Sequence, residues 1–193
     1  MTAATAPPQP NVQRAGWQRK ARRLRVPLGF AVAALYMWLA RPTWKAIAIG
    51  ALIAALGLAI RAAAAGHVRK DAELTTTGPY SYTRNPLYLG SAILALGFVI
   101  AGRSWWMLLV LAIFFVAIYW PVIRSEEAFL RSRFPEFDAY ARAVPRLLPR
   151  LRGESGAFSR ELYRRHREYR ALLGALALFA ILIAKMQWQG AAR

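Results

Sequence analysis

The 193-residue chain contains no cysteine and only two histidines, His67 and His166, which lie far apart. The absence of cysteine excludes disulfides, thiolate metal ligands and cysteine nucleophiles. Two isolated histidines do not form the closely spaced ligand set of a typical metal site, so we expect no bound metal. The chain also lacks a Gly-x-Gly-x-x-Gly loop and any alternation of strand and helix patterns, which excludes a Rossmann-type nucleotide-binding domain.

Acidic residues are scarce as well: nine Asp and Glu stand against 27 Lys and Arg, while 57% of the residues are hydrophobic. A soluble domain rarely combines so much apolar surface with so much positive charge. About 20 apolar residues cross a membrane core of ~30 Å. Five apolar runs approach this length: Val26–Ala40, Ala46–Ile60 with its continuation to Ala65, Leu87–Ala101, Trp105–Ile123 and Ala171–Ala184. The sequence therefore predicts an all-α, polytopic membrane protein with about five transmembrane helices.

The positive charges are unevenly distributed along the chain. Residues 1–25, 61–86 and 124–170 hold 22 of the 27 Lys and Arg, and all nine acidic residues. A five-span chain places these three segments on one side, and an excess of Lys and Arg marks the cytoplasmic side. We therefore expect the N-terminus inside and the C-terminus outside. Attraction to anionic headgroups, about 1 kcal/mol per cation, accounts for the basicity, and no nucleic-acid reading motif is present.

These patterns divide the chain into three parts. Residues 1–25 form a basic tail that we expect to be disordered, since its first residues are rich in proline and small side chains. Residues 26–150 form the membrane core. Residues 151–193 hold a basic helix and the final transmembrane helix.

The polar segment after the fourth apolar run has its own pattern. Residues 126–142 have a helical pattern, and Val144–Pro149 has an extended, proline-bounded one. Gly153, Ser155 and Gly156 are typical of a hinge. The basic helix is expected over Phe158–Arg170 and should continue into the last span.

A permanently charged side chain opens the third apolar run. Arg84 precedes Leu87–Ala101, and a guanidinium near hydrocarbon costs several kcal/mol unless it has a partner. Aromatic and turn-forming residues accompany it between Gly78 and Gly90. A second polar group, Arg124 to Glu127, follows the next apolar run. These groups are the candidate functional residues.

Each candidate also has an ordinary structural interpretation. Arg84 and Arg124 are typical headgroup anchors, and interfacial tyrosines are typical of an aromatic belt. Glu127 and Arg131 have the spacing of a solvated helix pair worth a few tenths of a kcal/mol. Asn85-Pro86 is an ordinary helix start. His67 is a loop residue, and His166 is expected on the surface.

The motifs in their order resemble the isoprenylcysteine carboxyl methyltransferase family, in particular its bacterial members, and the broader phospholipid methyltransferase group. The resemblance runs from about Gly66 to Arg150. It rests on four motifs: Arg84-Asn85-Pro86-Leu87-Tyr88-Leu89-Gly90, Glu126-Glu127, Phe134-Pro135-Glu136-Phe137 with Tyr140, and Val144-Pro145-Arg146 with Pro149. Asn85 departs from the eukaryotic motif, which has His there. An amide carries no useful proton, so Asn85 fits a cofactor-orienting role and not that of a base.

The resemblance implies S-adenosylmethionine as the methyl donor, a lipophilic small molecule or lipid as the acceptor, and a cofactor pocket on the cytosolic side of a bacterial inner membrane. It implies cofactor binding by His67, Tyr80, Tyr82, Arg84, Asn85, Pro86, Tyr88, Gly90, Glu126 and Glu127, catalysis by Arg84, Arg124 and Glu127, and acceptor binding by Tyr140 and Arg146. The acidic pair would accept from the ammonium or ribose of the cofactor, Arg84 or His67 would meet its carboxylate, and the tyrosines would face its adenine or sulfonium.

The acceptor and two other function classes stay open at this point. An acceptor carboxylate would need Arg124 or Arg146 to hold it, whereas an amine would need Glu127 as a base. The alternatives to a methyltransferase are a sterol-type reductase using NADPH and a non-catalytic membrane scaffold. Such reductases tend to carry an acidic residue directly after the final motif glycine, where this chain has Ser91. The oligomeric state is not encoded in any pattern.

Overall fold

The computed structural model describes residues 16–69 and 73–191, and these residues form helices joined by turns and loops. The long helices are α1 (Gly16–Leu39), α2 (Trp44–Ala65), α4 (Pro86–Gly102), α5 (Trp105–Phe114) continuing through a π-helical turn (Phe115–Tyr119) into α6 (Trp120–Arg133), and α9 (Tyr169–Ala191). The short helices are α3 (Pro79–Tyr82), α7 (Phe137–Ala143) and α8 (Arg160–Arg165).

The helices match the apolar runs of the sequence. The segments Trp44–Ala65, Trp105–Arg133 and Tyr169–Gly190 are long and apolar enough to cross a membrane. Pro27–Leu39 and Pro86–Gly102 are shorter apolar helices. The expected all-α, polytopic membrane architecture is confirmed.

Three local expectations differ from the structure. Helix α1 begins at Gly16, so residues 16–25 are helical and not part of a disordered tail; residues 1–15 lie outside the described part. The single helix expected over 126–142 is wrong, because α6 ends at Arg133 and α7 begins at Phe137. Pro135 explains this break, since proline disfavours helical backbone at the preceding residue and supplies no N–H.

The expected basic helix over Phe158–Arg170 is also interrupted. It is confined to α8, and α9 begins only at Tyr169. Between them Arg167 adopts a positive φ of 54°, which ends the regular helix. This turn brings Glu168 towards α2 instead of leaving it on a continuous helix surface.

Helices α2 and α4 pack antiparallel through four glycines. A Cβ atom on Gly57 would lie 2.6 Å from the carbonyl oxygen of Gly90, and one on Gly97 would lie 2.6 Å from that of Gly50. The glycines are seven residues apart on each helix and so share one face. Apolar side chains gain little from leaving lipid, and membrane helices associate by such close backbone approach. The contact fixes the start of α4 against α2.

We expect Gly57→Ala to lower the free energy of unfolding by about 1–3 kcal/mol, because the three atoms nearest to its Cβ would be backbone atoms, including Leu94 N at 2.5 Å. Denaturation in detergent micelles measures this. Gly174→Ala is the matched control, since no atom lies within 4 Å of a Cβ there. Equal midpoints for the two variants would contradict the packing argument.

Hydrogen bonds near the C-terminal ends of α4 and α9 hold the bundle together on the side away from Arg84 and the start of α4. A turn at Arg103, with φ of 51°, joins α4 to α5 in the gap between the third and fourth apolar runs. Tyr36 OH donates a hydrogen bond of 2.6 Å to Phe98 O, and Lys185 Nζ donates to the carbonyls of Met37 and Trp38 at the end of α1. The last helix thereby caps the first.

Candidate active site

The motif residues before α4 run beside the proline-bounded segment that follows α7. Pro86 occupies the first turn of α4, where its missing N–H costs nothing. Arg84 N donates to Pro145 O at 2.9 Å, and Thr83 Oγ1 donates to Arg146 O at 3.1 Å. Thr83 is 2% exposed, so this pairing lies inside the protein. Val144–Pro149 contains no helix, as its sequence predicts.

Glu127 is the centre of the site and is only 5% exposed. Its Oε2 accepts hydrogen bonds from Arg146 Nε at 2.9 Å and contacts Arg146 Nη2 at 2.8 Å. Its Oε1 accepts from Asn85 Nδ2 at 3.2 Å and lies 3.5 Å from Arg84 Nε. We call Arg84, Asn85, Glu127 and Arg146 the Glu127 cluster. It joins three of the four sequence motifs.

The alternative interpretation of Glu127 as a solvated partner of Arg131 is wrong. Arg131 Nε pairs with Asp138 Oδ1 at 2.7 Å, and both side chains are 55% exposed. The turn between α6 and α7 brings Asp138 back to Arg131. Glu127 faces the opposite way, into the protein. The acidic pair of the motif therefore includes a buried carboxylate held by two guanidinium groups.

The Glu127 cluster carries a net positive charge, since two guanidinium groups share one carboxylate. Arg84 is 11% exposed, and its Nε is buried without a hydrogen bond in the described part of the chain. Arg146 is 35% exposed and packs over the ring of Trp120 at 5.1 Å. The planar guanidinium group of arginine carries N–H donors in a geometry that matches the two oxygens of a carboxylate. The arrangement suits an anionic group approaching from the open side of Arg146.

Asn85 uses both hydrogens of its side-chain amide within the cluster. Nδ2 donates to Glu127 Oε1 and, at 3.0 Å, to Arg146 O. These bonds align the carboxylate of α6 with the segment after α7. The expectation that Asn85 orients its neighbours and does not act as a base stays a prediction, and these two bonds support it.

Within the described residues Glu126 is bound by a phenol, whereas Glu127 is held by guanidinium groups. Its Oε1 accepts a hydrogen bond of 3.0 Å from Tyr88 OH, and the Tyr88 ring meets Tyr119 edge to face at 5.6 Å. Glu126 is partly exposed. This carboxylate is the acidic group of the site most open to a cationic ligand.

Two further tyrosines lie between the motif and α7. Tyr80 is buried, and Tyr140 OH donates to Tyr80 O at 2.7 Å. Burial is the largest cause that raises the pKa of Tyr80. The nearby Tyr140, Glu126 and Glu168 raise it further, in that order of effect. Burial also raises the pKa of Tyr140, against a smaller lowering by Arg84. Both phenols are neutral in the physiological range, and the Tyr140 hydroxyl serves as a hydrogen-bond donor.

Several other candidates lie outside the Glu127 cluster. Arg124 and Tyr82 are exposed, and Gly90 packs against Gly57 and Arg61. The ring of His67 has Nδ1 2.7 Å from Ala63 O and Nε2 3.0 Å from Gly156 O. The structure thus uses His67 to connect the end of α2 with the segment after α7.

That segment also contacts residues that sequence reasoning missed. Ser81 is 1% exposed; its Oγ donates to Gly78 O at 2.6 Å and accepts from Glu154 N at 2.8 Å. Arg150 Nε donates to Ser81 O at 2.7 Å. The stretch at residues 153–156, which was expected to be a hinge, is therefore hydrogen-bonded to the turn at Gly78–Ser81, which we call the motif turn. No local pattern could signal these pairs, because their members are about 70 residues apart.

Comparisons with known proteins agree with the motifs. Residues 25–136, more than half of the chain, match the phospholipid methyltransferase family. The nickel-cobalt-cadmium resistance protein NccN of Alcaligenes xylosoxydans xylosoxydans is 44% identical over 103 residues, covering 49% of this chain and 48% of NccN. The cobalt-zinc-cadmium resistance protein CzcN of Cupriavidus metallidurans is 38% identical over 143 residues, covering 68% of this chain and 65% of CzcN.

These alignments span about half to two thirds of the length of the two relatives. No solved structure matches the chain. The family match covers the first two sequence motifs and ends within the third, and it confirms the resemblance to the broader methyltransferase group. The chain belongs to the phospholipid methyltransferase family.

Proposed function

We propose that the protein transfers a methyl group from S-adenosylmethionine to a lipophilic acceptor in the membrane. The observation that carries this proposal is the Glu127 cluster, a buried carboxylate shared by two arginines at the start of an apolar helix. Family membership supports a membrane methyltransferase in general. The donor and the acceptor are our inference from the site.

The residues present fit the chemistry of the cofactor. Arg84 and Arg146 together offer an uncompensated positive charge to its carboxylate, since Glu127 neutralises only one of them. Glu126 is the available acceptor for its ammonium or ribose hydroxyls, and Tyr88 fixes the orientation of Glu126. When bound, the cofactor supplies an electrophilic methyl group on a sulfonium. The tyrosine rings near the motif are suitable partners for that cation.

The side chains act chiefly by positioning and by excluding water, because displacement at a methyl group needs no covalent intermediate with the protein. Glu127 is a poor general base, since both oxygens already accept from or contact cations and an amide. Glu126 holds the cofactor in this proposal, so neither carboxylate of the acidic pair is free to take a proton from an acceptor amine. An acceptor carboxylate would need no base. In our proposal Arg146, and not the exposed Arg124, would hold such a carboxylate.

The orientation of the site is also a proposal. We propose that the motif turn and the segment after α7 face the cytosol, where the cofactor is made, because most of the cations lie in the segments on that side. The names of the two relatives refer to metal resistance and not to a reaction. We propose that any role of this chain in metal tolerance comes through its methylated product. Within residues 16–69 and 73–191 no group of three or more metal-binding side chains occurs.

The test is equilibrium titration of the purified protein with S-adenosylmethionine and, separately, with NADPH. We expect binding of the first, and we expect Glu126→Gln to weaken it by roughly ten- to a hundredfold, since a hydrogen bond to a charged group contributes about 1.5–3 kcal/mol. The thermal midpoint should change little, because Glu126 is partly exposed. A folded preparation that binds NADPH and not S-adenosylmethionine would indicate a reductase.

Transfer of a tritiated methyl group to total membrane lipids then identifies the acceptor class. A product labile to base is an ester and indicates a carboxylate acceptor, whereas a stable product indicates an amine. Arg131→Gln is the matched control for the binding experiment. It removes an exposed cation near the site without touching Glu126 or Glu127.

A further inference from the structure

Two histidines close the C-terminal end of α2. The last four carbonyl groups of a helix have no partner within it and need one from outside. Ala63 O lies 2.7 Å from His67 Nδ1. Ala65 O lies 3.0 Å from His166 Nδ1. The helix dipole places partial negative charge at this end, so a protonated ring is stabilised at either position.

His67 faces a carbonyl group with each of its two ring nitrogens. Besides the contact of Nδ1 with Ala63 O, its Nε2 lies 3.0 Å from Gly156 O, in the segment after α7. A carbonyl oxygen only accepts hydrogen bonds, and a neutral imidazole has a single N–H. In the neutral ring one nitrogen would therefore turn its lone pair towards an oxygen lone pair. Both contacts are hydrogen bonds only when the ring carries two protons and a positive charge.

The ring of His67 is enclosed by the elements that it joins. A Cβ on Gly156 would lie 2.9 Å from the ring Cδ2, and one on Gly78 would lie 2.5 Å from Nε2. Phe158 meets the ring edge to face, with centroids 6.3 Å apart. The ring therefore has little room to turn away from the two carbonyl oxygens.

Within residues 16–69 and 73–191 no carboxylate forms an ion pair with His67. Arg69, on its own element, pairs with Glu73 at 3.4 Å. The titratable group of the motif turn is the neutral phenol of Tyr80, and Tyr163 of α8 packs against Phe158. The charged side chains on the other surrounding elements are exposed: Glu154 on the segment after α7, and Arg160, Glu161, Arg164 and Arg165 on α8. A proton on His67 would thus be held by the two carbonyl groups.

The segment that His67 contacts also holds the motif turn. Glu154 N donates to Ser81 Oγ at 2.8 Å, and Gly78 N donates to Glu154 O at 2.9 Å. The next residues, 82–85, lead from this turn into the Glu127 cluster. Loss of the contact between His67 and the segment would therefore loosen the turn from which the cluster begins.

We propose that His67 is a positioning residue that acts as an imidazolium. With both N–H groups bonded, it holds residues 153–156 across the motif turn, and loss of a proton breaks one of the two bonds and loosens the segment. Cofactor affinity should accordingly rise as the pH falls through the range in which histidine takes up a proton. The inference rests on the proposed function. It gives residues 153–156, which lie beyond the family match, a role at the site.

A nitroxide label at Ala157→Cys tests the proposal, because the chain has no other cysteine and Ala157 is exposed beside Gly156. In micelles without cofactor, the ratio of immobile to mobile label should rise about tenfold from about pH 8 to about pH 5. A hydrogen bond from a charged donor changes an equilibrium by roughly ten- to a hundredfold. His67→Gln should remove the change, since an amide does not titrate.

His166→Gln is the matched control at the same helix end. Within the described residues His166 meets a carbonyl through Nδ1 alone, which a neutral ring satisfies, so the pH dependence of the label should remain. This background also leaves His67 as the single histidine. Its ring nitrogens, labelled with ¹⁵N, should titrate with the same midpoint as the mobility of the label. Different midpoints, or a label whose mobility is independent of pH or changes equally in His67→Gln, would overturn the proposal.

Titration with S-adenosylmethionine over the same pH range connects the segment to the site. The ratio of the affinities of the unmodified protein and His67→Gln cancels any titration of the cofactor itself, and we expect it to rise about tenfold towards low pH. A constant ratio beside a pH-dependent label would show that His67 does not position the site. If no cofactor binds at any pH, the proposed function fails, while the label and the ring titration still decide whether the imidazolium holds the segment.

Discussion

Replacing Glu127 by glutamine is expected to abolish binding of S-adenosylmethionine and to destabilise the protein. The substitution leaves Arg84, only 11% exposed, without its counter-ion. It also replaces one of the two oxygens that accept from Arg146 and Asn85 by an NH2 group, which cannot accept. Removing one partner of a buried ion pair costs about 3–5 kcal/mol. We expect the lower end of that range, because Arg146 is 35% exposed and can turn to solvent. Chemical denaturation in micelles and cofactor titration measure the two effects.

Arg131→Gln is the control for this experiment too. It breaks the exposed pair with Asp138 and should cost at most a few tenths of a kcal/mol, with cofactor affinity unchanged. Comparison with Glu126→Gln adds a second distinction. That variant should lose affinity while keeping its stability, whereas Glu127→Gln should lose both. Small and equal effects of Glu127→Gln and Arg131→Gln would show that the Glu127 cluster is not a binding site.

The sequence predicts the membrane helices well because composition alone decides them. A run of apolar residues must leave water, and Leu87–Ala101 and Trp105–Ile123 each lie within one helical segment. The turn between them is equally local, since Gly102-Arg103-Ser104 interrupts the apolar pattern. The breaks at Pro135 and Arg167 are harder to predict. Helical periodicity continues across both. Pro135 is a local signal that the helix stops, whereas at Arg167 only the backbone shows that the chain turns.

The partners of Glu127 could not be obtained from local spacing. The i, i+4 rule selects Arg131, whereas the structure selects Arg146, 19 residues away, and Arg84, in the turn between α3 and α4. The turn at Pro135 reverses the chain and makes the distant contact possible. The motif resemblance grouped these residues without giving their geometry. The same holds for Arg61 and Glu168, which pair across more than a hundred residues with no shared pattern.

The turn that precedes the motif provides the second prediction of large effect. Gly78 has φ of 59° and ψ of −135°, the mirror image of the extended polyproline conformation, which only glycine adopts readily. Its N–H donates to Glu154 O at 2.9 Å, and a Cβ would lie 2.5 Å from His67 Nε2. Gly78→Ala is therefore expected to lower the free energy of unfolding by about 1–3 kcal/mol. It should also weaken cofactor binding, because it displaces Tyr80 and Ser81.

A double substitution separates the two causes. His67→Ala removes the ring that the new methyl group would meet but leaves the backbone at Gly78 unchanged. If the ring contact alone were responsible, Gly78→Ala with His67→Ala would be no less stable than His67→Ala by itself. We expect only partial recovery, since an alanine in this conformation remains strained whatever lies beside it. Gly78→Ala with an unchanged midpoint and affinity would show that the turn tolerates a side chain and that the strained turn does not position the motif.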